Sequence, residues 1–207
     1  MPAEALLIAS RSADKIREIS EILQPALRGR LVSLLDAGIP PDPAEDDVEA
    51  YGTFRENALA KAAYFHRITG MTVLADDSGI EVDALGGAPG VLSKRFAARP
   101  GLTGLALDQA NNQLLLDRLA GLPPDQRGAR YVCAAVLWSQ PARPPVTAIG
   151  TCRGIILDGP RGTGGFGYDP LFLLPELQHT FGELEAAQKH RFSHRARAFR
   201  ALAAHLS

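Results

Sequence analysis

Apolar runs and helically spaced apolar residues divide the start of the chain into strands and helices. Residues 6–9 are continuously apolar, which predicts a short buried strand. Apolar residues then recur at positions 16, 19, 22 and 23, so we expect a helix that ends before Pro25. Residues 31–35 predict a second strand.

The pattern after residue 52 continues this alternation of helix and strand. Thr53 and Glu56 form a capping box that predicts the start of a helix. Residues 108–119 predict another helix, and 131–138 and 146–157 predict two long strands that pair as an antiparallel hairpin. Pairs of strands mixed with helices indicate an α/β protein with a mixed sheet.

The C-terminal quarter begins with a predicted strand at 171–174. Thr180 and Glu183 form a second capping box, which predicts a helix that contains Lys189. A last helix is predicted at 193–206.

The segment 75–96 carries two adjacent carboxylates after a short strand at 72–74. Neighbouring side chains of an extended segment point to opposite faces, so only one of Asp76 and Asp77 can face a given site. Alternating apolar and acidic residues at 80–84 predict a half-buried strand. Carboxylates beside a hydroxyl and glycines suit a hard cation. A hydrogen-bonded turn with a solvated acidic face is the alternative.

The turn between the first strand and the first helix is a candidate phosphate site. Unpaired N–H groups at a helix N-terminus attract anions, and Ser10, Ser12 and Lys15 stand there. Simple N-capping by Ser12 or Asp14 is the alternative. Lys61 is either a second phosphate ligand or a solvated lysine.

The loop at 158–170 is rich in glycine. Its G-x-G-x-x-G spacing does not indicate dinucleotide binding, because Asp169, Pro170 and a strand follow where a helix is required. Phe166 among glycines is suited either to stacking on a flat base or to packing under the loop.

The segment from Lys189 to Arg200 contains five lysines and arginines, two histidines and no acid. Arginine suits bidentate recognition of phosphate or of a carbonyl edge. A solvated basic helix face is the alternative.

Composition limits the class of protein. The chain has 207 residues, a formal net charge of -1 and 46% hydrophobic residues, which suits one globular domain and argues against a general nucleic-acid binder. No apolar run is long enough to predict a membrane span. Cys133 and Cys152 are expected to be reduced and buried, and the expected location is the cytoplasm.

Five motifs together carry a resemblance to a known family. They are ASRSADKIREI, TFRENALAKA, ADDSGIEVDALGGAPGVLSKRF, GTGGFGYDPLF and KHRFSHRARAF. The chain resembles the inosine triphosphate pyrophosphatases in all five, in the same order. The resemblance implies an elongated, two-lobed α/β fold with a long curved mixed β-sheet flanked by helices and a central active-site cleft, built by residues 1–207 as one domain.

The same resemblance implies the activity and the site. Such enzymes use Mg²⁺, one ion per subunit, to cut dITP, ITP or XTP between the α- and β-phosphates, and they form homodimers. Carried over by position, Asp77 is the catalytic carboxylate and Glu49 is the second metal ligand beside it. The implied substrate-binding residues are Ser10, Arg11, Ser12, Lys15, Lys61 and Ser78 for the phosphates, Phe166, Gly167, Tyr168 and Asp169 around the base, and Lys189, His194 and Arg195 for its 6-keto edge.

Two departures from the family pattern affect these assignments. Ser12 replaces the usual asparagine of the first motif, which removes an amide donor and acceptor. The metal loop is one residue shorter than usual after Glu49, so Glu45, Asp46 and Asp47 remain alternative metal ligands.

Two other functions are alternatives to this one. A Maf-type nucleotide pyrophosphatase also opens with a serine-rich turn, but it should lack the GFGYDP and SHR motifs that this chain contains. A catalytically silent nucleotide-binding protein is the second alternative. The presence of Asp77, Lys61 and Arg195 argues against it.

Overall fold

The fold is built on one mixed sheet of seven strands. The computed structural model describes residues 5–24, 27, 30–139 and 143–206. The strands are β1 Leu6–Ile8, β2 Leu31–Ser33, β3 Thr72–Val82, β4 Gly128–Trp138, β5 Val146–Ile156, β6 Phe172–Leu174 and β7 His179–Thr180. Their order is β2-β1-β3-β4-β5-β6-β7. β1 pairs in parallel with β2 and β3, whereas β6 pairs antiparallel with β5 and β7. The predicted α/β class with a mixed sheet is confirmed.

Five α-helices accompany the sheet within the described residues. They are α1 Ala13–Leu23, α2 Phe54–Thr69, α3 Gly104–Arg118, α4 Ala186–Phe192 and α5 His194–Ala203. Thr53 caps α2 as predicted, and Ser12 caps α1, which is the alternative given for that turn; each accepts a hydrogen bond from the backbone three residues later. α2 ends at Gly70, whose φ of 68° is the left-handed conformation that glycine tolerates.

Two predictions about local structure are corrected. β3 runs unbroken through Asp76 and Asp77, because the backbone stays extended where we expected the strand to end. The second capping box is present, but it closes only a short 3-10 turn at Phe181–Glu183. Leu184 returns to extended backbone, so the helix that contains Lys189 begins separately at Ala186.

Two further boundaries differ from the predictions. The third helix begins at Gly104, four residues before the predicted start, and the last helix ends at Ala203. β4 and β5 are neighbours in the sheet, as the hairpin prediction requires, and residues 140–142 of their connection lie outside the described residues.

The chain forms two compact units, each with its own apolar core. Unit 1 comprises the described residues of 1–77, 133–150 and 194–207, and unit 2 comprises 78–132 and 151–193. The core of unit 1 is built mainly from β1, α1, β4 and α5, with Leu74, Cys133 and Phe199 among its buried residues. In unit 2, Phe172 and Phe181 pack around Tyr131 with ring centroids 4.7 and 5.8 Å from the tyrosine ring.

The two cysteines are buried and form no disulfide, as predicted. Burial raises the pKa of the Cys133 thiol far above its usual value, and the negative charge of Asp76 adds to this effect. In the described part of the chain, no helix has both the length and the apolar character of a membrane span.

Gly150 on β5 lies where the backbone of α5 passes too close for a side chain. A Cβ atom at this position would overlap the carbonyl oxygen of His194 and lie 2.6 Å from the amide nitrogen of Ala198. We expect Gly150→Ala to lower the free energy of unfolding by about 3 kcal/mol, because backbone must move to admit the methyl group. Urea unfolding of Gly150→Ala beside Gly159→Ala, whose Cβ meets nothing within 4 Å, measures this. Equal midpoints for the two variants would contradict it.

Candidate functional site

A pocket of about 160 Å³ in unit 1 brings together most of the predicted phosphate and metal residues. The turn after β1, the loop that contains the 3-10 turn Pro43–Asp47, and helix α2 form its walls. The lining residues are Ala9, Ser10, Arg11, Ser12, Lys15, Leu34, Glu45, Val48, Glu49, Lys61 and Phe65.

The turn between β1 and α1 presents hydroxyl groups and one lysine to this pocket. The Ser10 hydroxyl accepts a hydrogen bond from the Ser12 amide at 3.2 Å, and Ser12 in turn caps α1. The capping alternative is therefore correct for Ser12, which lines the pocket as well. The ammonium of Lys15 lies 3.3 Å from the Asp76 carboxylate.

Asp76 is a fully buried carboxylate surrounded by cations. Its Oδ2 lies 3.3 Å from Lys15 Nζ and 3.4 Å from Arg195 Nη2. Burial alone would raise the pKa of Asp76, but the charges of Lys15, Arg195 and Lys61 outweigh it and hold the pKa well below its usual value. Asp76 is therefore a permanent negative charge within β3.

Asp77, the next residue, is held by an amide instead. The side-chain Nδ2 of Asn57 donates a hydrogen bond to Asp77 Oδ2 at 2.9 Å, and the amide oxygen of Asn57 accepts from the Tyr51 backbone at 2.9 Å. Burial raises the pKa of Asp77 above its usual value, against the opposing charges of Lys15 and Lys61. Asn57 thus orients the carboxylate and also ties the loop that follows Glu49.

Glu49 and Lys61 form an ion pair at the pocket wall. Burial would raise the pKa of Glu49, but Lys61 and then Lys15 lower it below the usual value. Burial would lower the pKa of Lys61, but the negative charges of Glu49, Asp76 and Asp77 outweigh it and raise the pKa above its usual value. Both groups are therefore ionised at neutral pH.

The alternative metal ligands in the loop are engaged elsewhere or exposed. The Glu45 carboxylate accepts two hydrogen bonds from Arg11, at 2.6 and 3.0 Å. Asp47 is exposed and does not line the pocket. The side chain of Asp46 lies outside the described residues.

The donor set fits a magnesium ion that is bound together with a polyphosphate. Mg²⁺ is usually held by one or two carboxylates, with waters and substrate phosphates completing the octahedron. Asp77 and Glu49 supply two carboxylates, close enough that the charge of Glu49 contributes to the raised pKa of Asp77. Across the described residues, no group of three or more His, Cys, Asp or Glu side chains is arranged to hold a metal by protein ligands alone.

A second cluster lies in unit 2, around Asp169. This buried carboxylate accepts hydrogen bonds from the Phe166 amide at 2.9 Å, from the Tyr131 hydroxyl at 3.1 Å and from the Lys189 ammonium at 2.5 Å. Lys189 Nζ lies 5.0 Å from the centre of the Phe166 ring, within the range of a cation–π contact. The structure therefore brings Phe166, Asp169 and Lys189 together.

The glycine-rich loop is fixed from both sides. The Gly167 amide donates to Asp108 at 2.8 Å, and the Gly167 carbonyl accepts from Asn112 at 3.0 Å. Tyr168 is buried, and its hydroxyl donates to the Ser93 carbonyl at 2.8 Å. Burial and the charge of Asp108 raise the pKa of Tyr168 above its usual value. Tyr168 therefore packs under the loop, whereas Phe166 is half-exposed.

The predicted site residues fall into two groups. Unit 1 contains Ser10, Arg11, Ser12, Lys15, Glu49, Lys61, Asp77, His194 and Arg195, and unit 2 contains Ser78, Phe166, Gly167, Tyr168, Asp169 and Lys189. The three residues predicted to read the base edge are thus divided between the units. Arg195 forms ion pairs with Asp76 and Glu18 in unit 1, whereas Lys189 pairs with Asp169 in unit 2.

Sequence reasoning missed three residues that organise these clusters. Asn57 orients Asp77, Glu18 pairs with Arg195, and Tyr131 donates to Asp169. The only signal for Asn57 was its position four residues before Lys61 on one helix face. Tyr131 belongs to an apolar strand pattern, which gives no sign of a polar partner.

Comparison with known proteins decides the family. The model of the Ham1 family matches residues 6–205. This chain belongs to the Ham1 family. The dITP/XTP pyrophosphatase of Desulforamulus reducens is 44% identical over 196 residues, which cover 94% of this chain and 92% of that protein. The dITP/XTP pyrophosphatase of Geobacter sulfurreducens is 45% identical over 201 residues, which cover 97% and 96%.

Solved structures of Ham1 proteins share the fold. The HAM1 protein from Coxiella burnetii superposes with a TM-score of 0.83 at 34% identity, covering 98% of both chains. The Ham1 protein of Staphylococcus aureus gives a TM-score of 0.81, also at 34% identity and 98% coverage of both chains. These similarities confirm the family that the five sequence motifs indicate.

Proposed function

We propose that this chain hydrolyses dITP, ITP and XTP to the nucleoside monophosphate and pyrophosphate in a Mg²⁺-dependent reaction. The observation that carries the proposal is the pocket of unit 1, which Lys15, Lys61 and Glu49 line, with Asp77 near enough for their charges to act on its pKa. Two lysines suit a polyphosphate, and two carboxylates suit the metal ion that accompanies it. Relatives named dITP/XTP pyrophosphatase, similar over nearly their whole length, support the substrate class.

The lysines and the serine hydroxyls of this pocket would bind the phosphate end of the substrate. The ammonium groups of Lys15 and Lys61 neutralise negative charge on the phosphates, and the hydroxyls of Ser10 and Ser12 donate hydrogen bonds to their oxygens. When bound by Asp77 and Glu49, Mg²⁺ supplies further charge neutralisation and polarises the scissile phosphate.

We assign to Asp77 the activation of the attacking water molecule. Its carboxylate orients and deprotonates a water for attack on the α-phosphorus, and pyrophosphate leaves. Asn57 donates to Oδ2 and so fixes the plane of the carboxylate. Asp76 stays ionised beneath Lys15 and keeps that lysine near the phosphates.

The cluster of unit 2 suits the base. The half-exposed Phe166 ring would stack on a purine, and Lys189 would donate to its 6-keto oxygen. An amino group at that position places a donor against a donor, so adenine leaves buried polar groups unpaired and is rejected. His194 and Arg195 are assigned to the same edge on the family resemblance alone.

The remaining assignments also rest on the resemblance. We propose that both compact units belong to one functional domain, residues 1–207, which acts as a homodimer in the cytoplasm. Its partner is the small nucleotide substrate rather than a nucleic acid or a membrane.

Pyrophosphate release from dITP, XTP, dGTP and dATP, with and without Mg²⁺, tests the function. We expect fast, metal-dependent release from dITP and XTP, and release at least about a hundredfold slower from dATP, because its 6-amino group meets the donors that read a 6-keto oxygen. Slow release from dGTP is expected on the family resemblance alone, because guanine carries the same 6-keto group. Inorganic phosphate as the product would place cleavage at another bond. Tight dITP binding without turnover would instead support the catalytically silent binder.

A further inference from the structure

The side chain of Arg11 contacts protein groups on two separate segments of unit 1, residues 39–45 and helix α2. Its Nε and Nη2 donate to the two carboxylate oxygens of Glu45 at 3.0 and 2.6 Å. Its Nη1 donates to the carbonyl of Ile39 and its Nη2 to the carbonyl of Pro40, both at 2.8 Å. The guanidinium carbon also lies 5.9 Å from the centre of the Phe65 ring on α2.

The partner carboxylate is itself part of the fold of the metal loop. Glu45 accepts a hydrogen bond from the Asp42 backbone at 3.2 Å, and Asp42 caps the Ala44 amide at 2.8 Å. These bonds form the capping box of the 3-10 turn Pro43–Asp47, which ends two residues before Glu49. A change at Arg11 therefore reaches the backbone that carries Glu49.

The positive charge of Arg11 is paired with the Glu45 carboxylate. The hydrogen bond from Arg11 to Glu45 is the largest cause of the raised pKa of the guanidinium, and burial opposes it. A bidentate arginine–carboxylate pair has a fixed planar geometry, which suits a brace between two segments. By contrast, Lys61 pairs with the candidate metal ligand Glu49, and Lys15 pairs with Asp76, the neighbour of Asp77.

We infer that Arg11 is a positioning residue, which clamps residues 39–45 to the turn after β1 and thereby sets the place of Glu49 in the pocket. The inference rests on the proposed function of this pocket, and it replaces direct phosphate binding as the role of the Arg11 side chain. The backbone of the same turn keeps its place beside the phosphates.

Hydrogen exchange of the full-length chain without nucleotide or metal tests the clamp directly. We expect Arg11→Gln to speed exchange in residues 38–50 by about tenfold, because a bidentate charged pair is lost. Glu45→Gln should have a similar effect. Arg11→Lys should follow Arg11→Gln, because an ammonium cannot replace the planar fork. Arg17→Gln is the matched control, since Arg17 forms only an exposed ion pair with Asp14 on α1.

Kinetics with dITP separate positioning from substrate binding. Arg11→Gln and Glu45→Gln should each lower kcat by about tenfold and raise the Mg²⁺ concentration needed for half-activation, with KM for dITP within about twofold of the wild type.

Direct phosphate binding by Arg11 predicts a different set of results. Arg11→Gln would then raise KM for dITP without any change in exchange at 38–50, and Arg11→Lys would keep most of the affinity. Glu45→Gln would leave KM unchanged or lower it, because the guanidinium would be released toward the substrate. That outcome overturns the inference. A wild-type chain without turnover would refute the proposed function alone, because the exchange comparison does not use turnover.

Discussion

Replacing Asp77 with asparagine is expected to lower kcat for dITP by about a thousandfold, with the fold intact. The amide has nearly the same shape but cannot take a proton from water, and a positioned general base contributes about 10²–10⁴-fold. The change also removes one of the two carboxylates that suit the metal. Pyrophosphate release gives the rate, and urea unfolding gives the stability of the variant.

Two companion variants make this result specific. Asp125→Asn, an exposed carboxylate on a turn of unit 2, should leave kcat unchanged. Asn57→Ala should lower kcat by only about tenfold, because it frees the orientation of Asp77 while keeping its charge. Near-normal turnover of Asp77→Asn would refute the assignment of Asp77 as the base.

Replacing Arg195 with methionine is expected to have the largest effect on stability, a loss of about 3–5 kcal/mol in the free energy of unfolding. The guanidinium is 2% exposed and forms ion pairs with Glu18 at 2.5 Å and Asp76 at 3.4 Å. Removing it leaves two buried carboxylates with less compensation, and buried charge is costly without a partner. Denaturant unfolding monitored by circular dichroism measures the loss.

Arg200→Met is the matched control, because Arg200 lies on the same helix, α5, but is exposed. It should change the free energy of unfolding by less than about 0.5 kcal/mol. Arg195→Lys keeps a positive charge but loses the planar guanidinium, so its free energy of unfolding should lie between those of the other two variants. It can still be measured if Arg195→Met fails to fold. Equal stabilities for Arg195→Met and Arg200→Met would show that the buried ion pairs contribute nothing net.

Secondary structure was predicted correctly where it is decided by residues that are close in sequence. The strand β1 and helix α1 were predicted from apolar runs and spacing, and helix α2 from the Thr53 cap, because both signals act within a few residues. The same locality explains the misplaced fourth helix. The Thr180 capping box is real, but Glu183 also pairs with Arg161, 22 residues away, and the chain turns extended at Leu184.

The candidate site was only partly predictable for the same reason. Motif order predicted Asp77 and Arg195 as site residues, yet the partners that hold their side chains are distant in sequence. Asn57 reaches Asp77 across 20 residues, and Glu18 reaches Arg195 across 177. No spacing rule links such residues, because their pairing depends on how α2 meets β3 and how α1 packs against α5.

The sequence by itself therefore determined the family and the mixed α/β class, and it predicted the types of residue that we propose for the chemistry. Tertiary structure alone decided which charges meet. Asp76 and Asp77 are identical neighbours in sequence, but packing surrounds Asp76 with cations that lower its pKa, whereas Asp77 meets an amide and its pKa is raised by burial. Desolvation and the arrangement of opposite charges set the difference, and both depend on atoms that only the folded chain brings together.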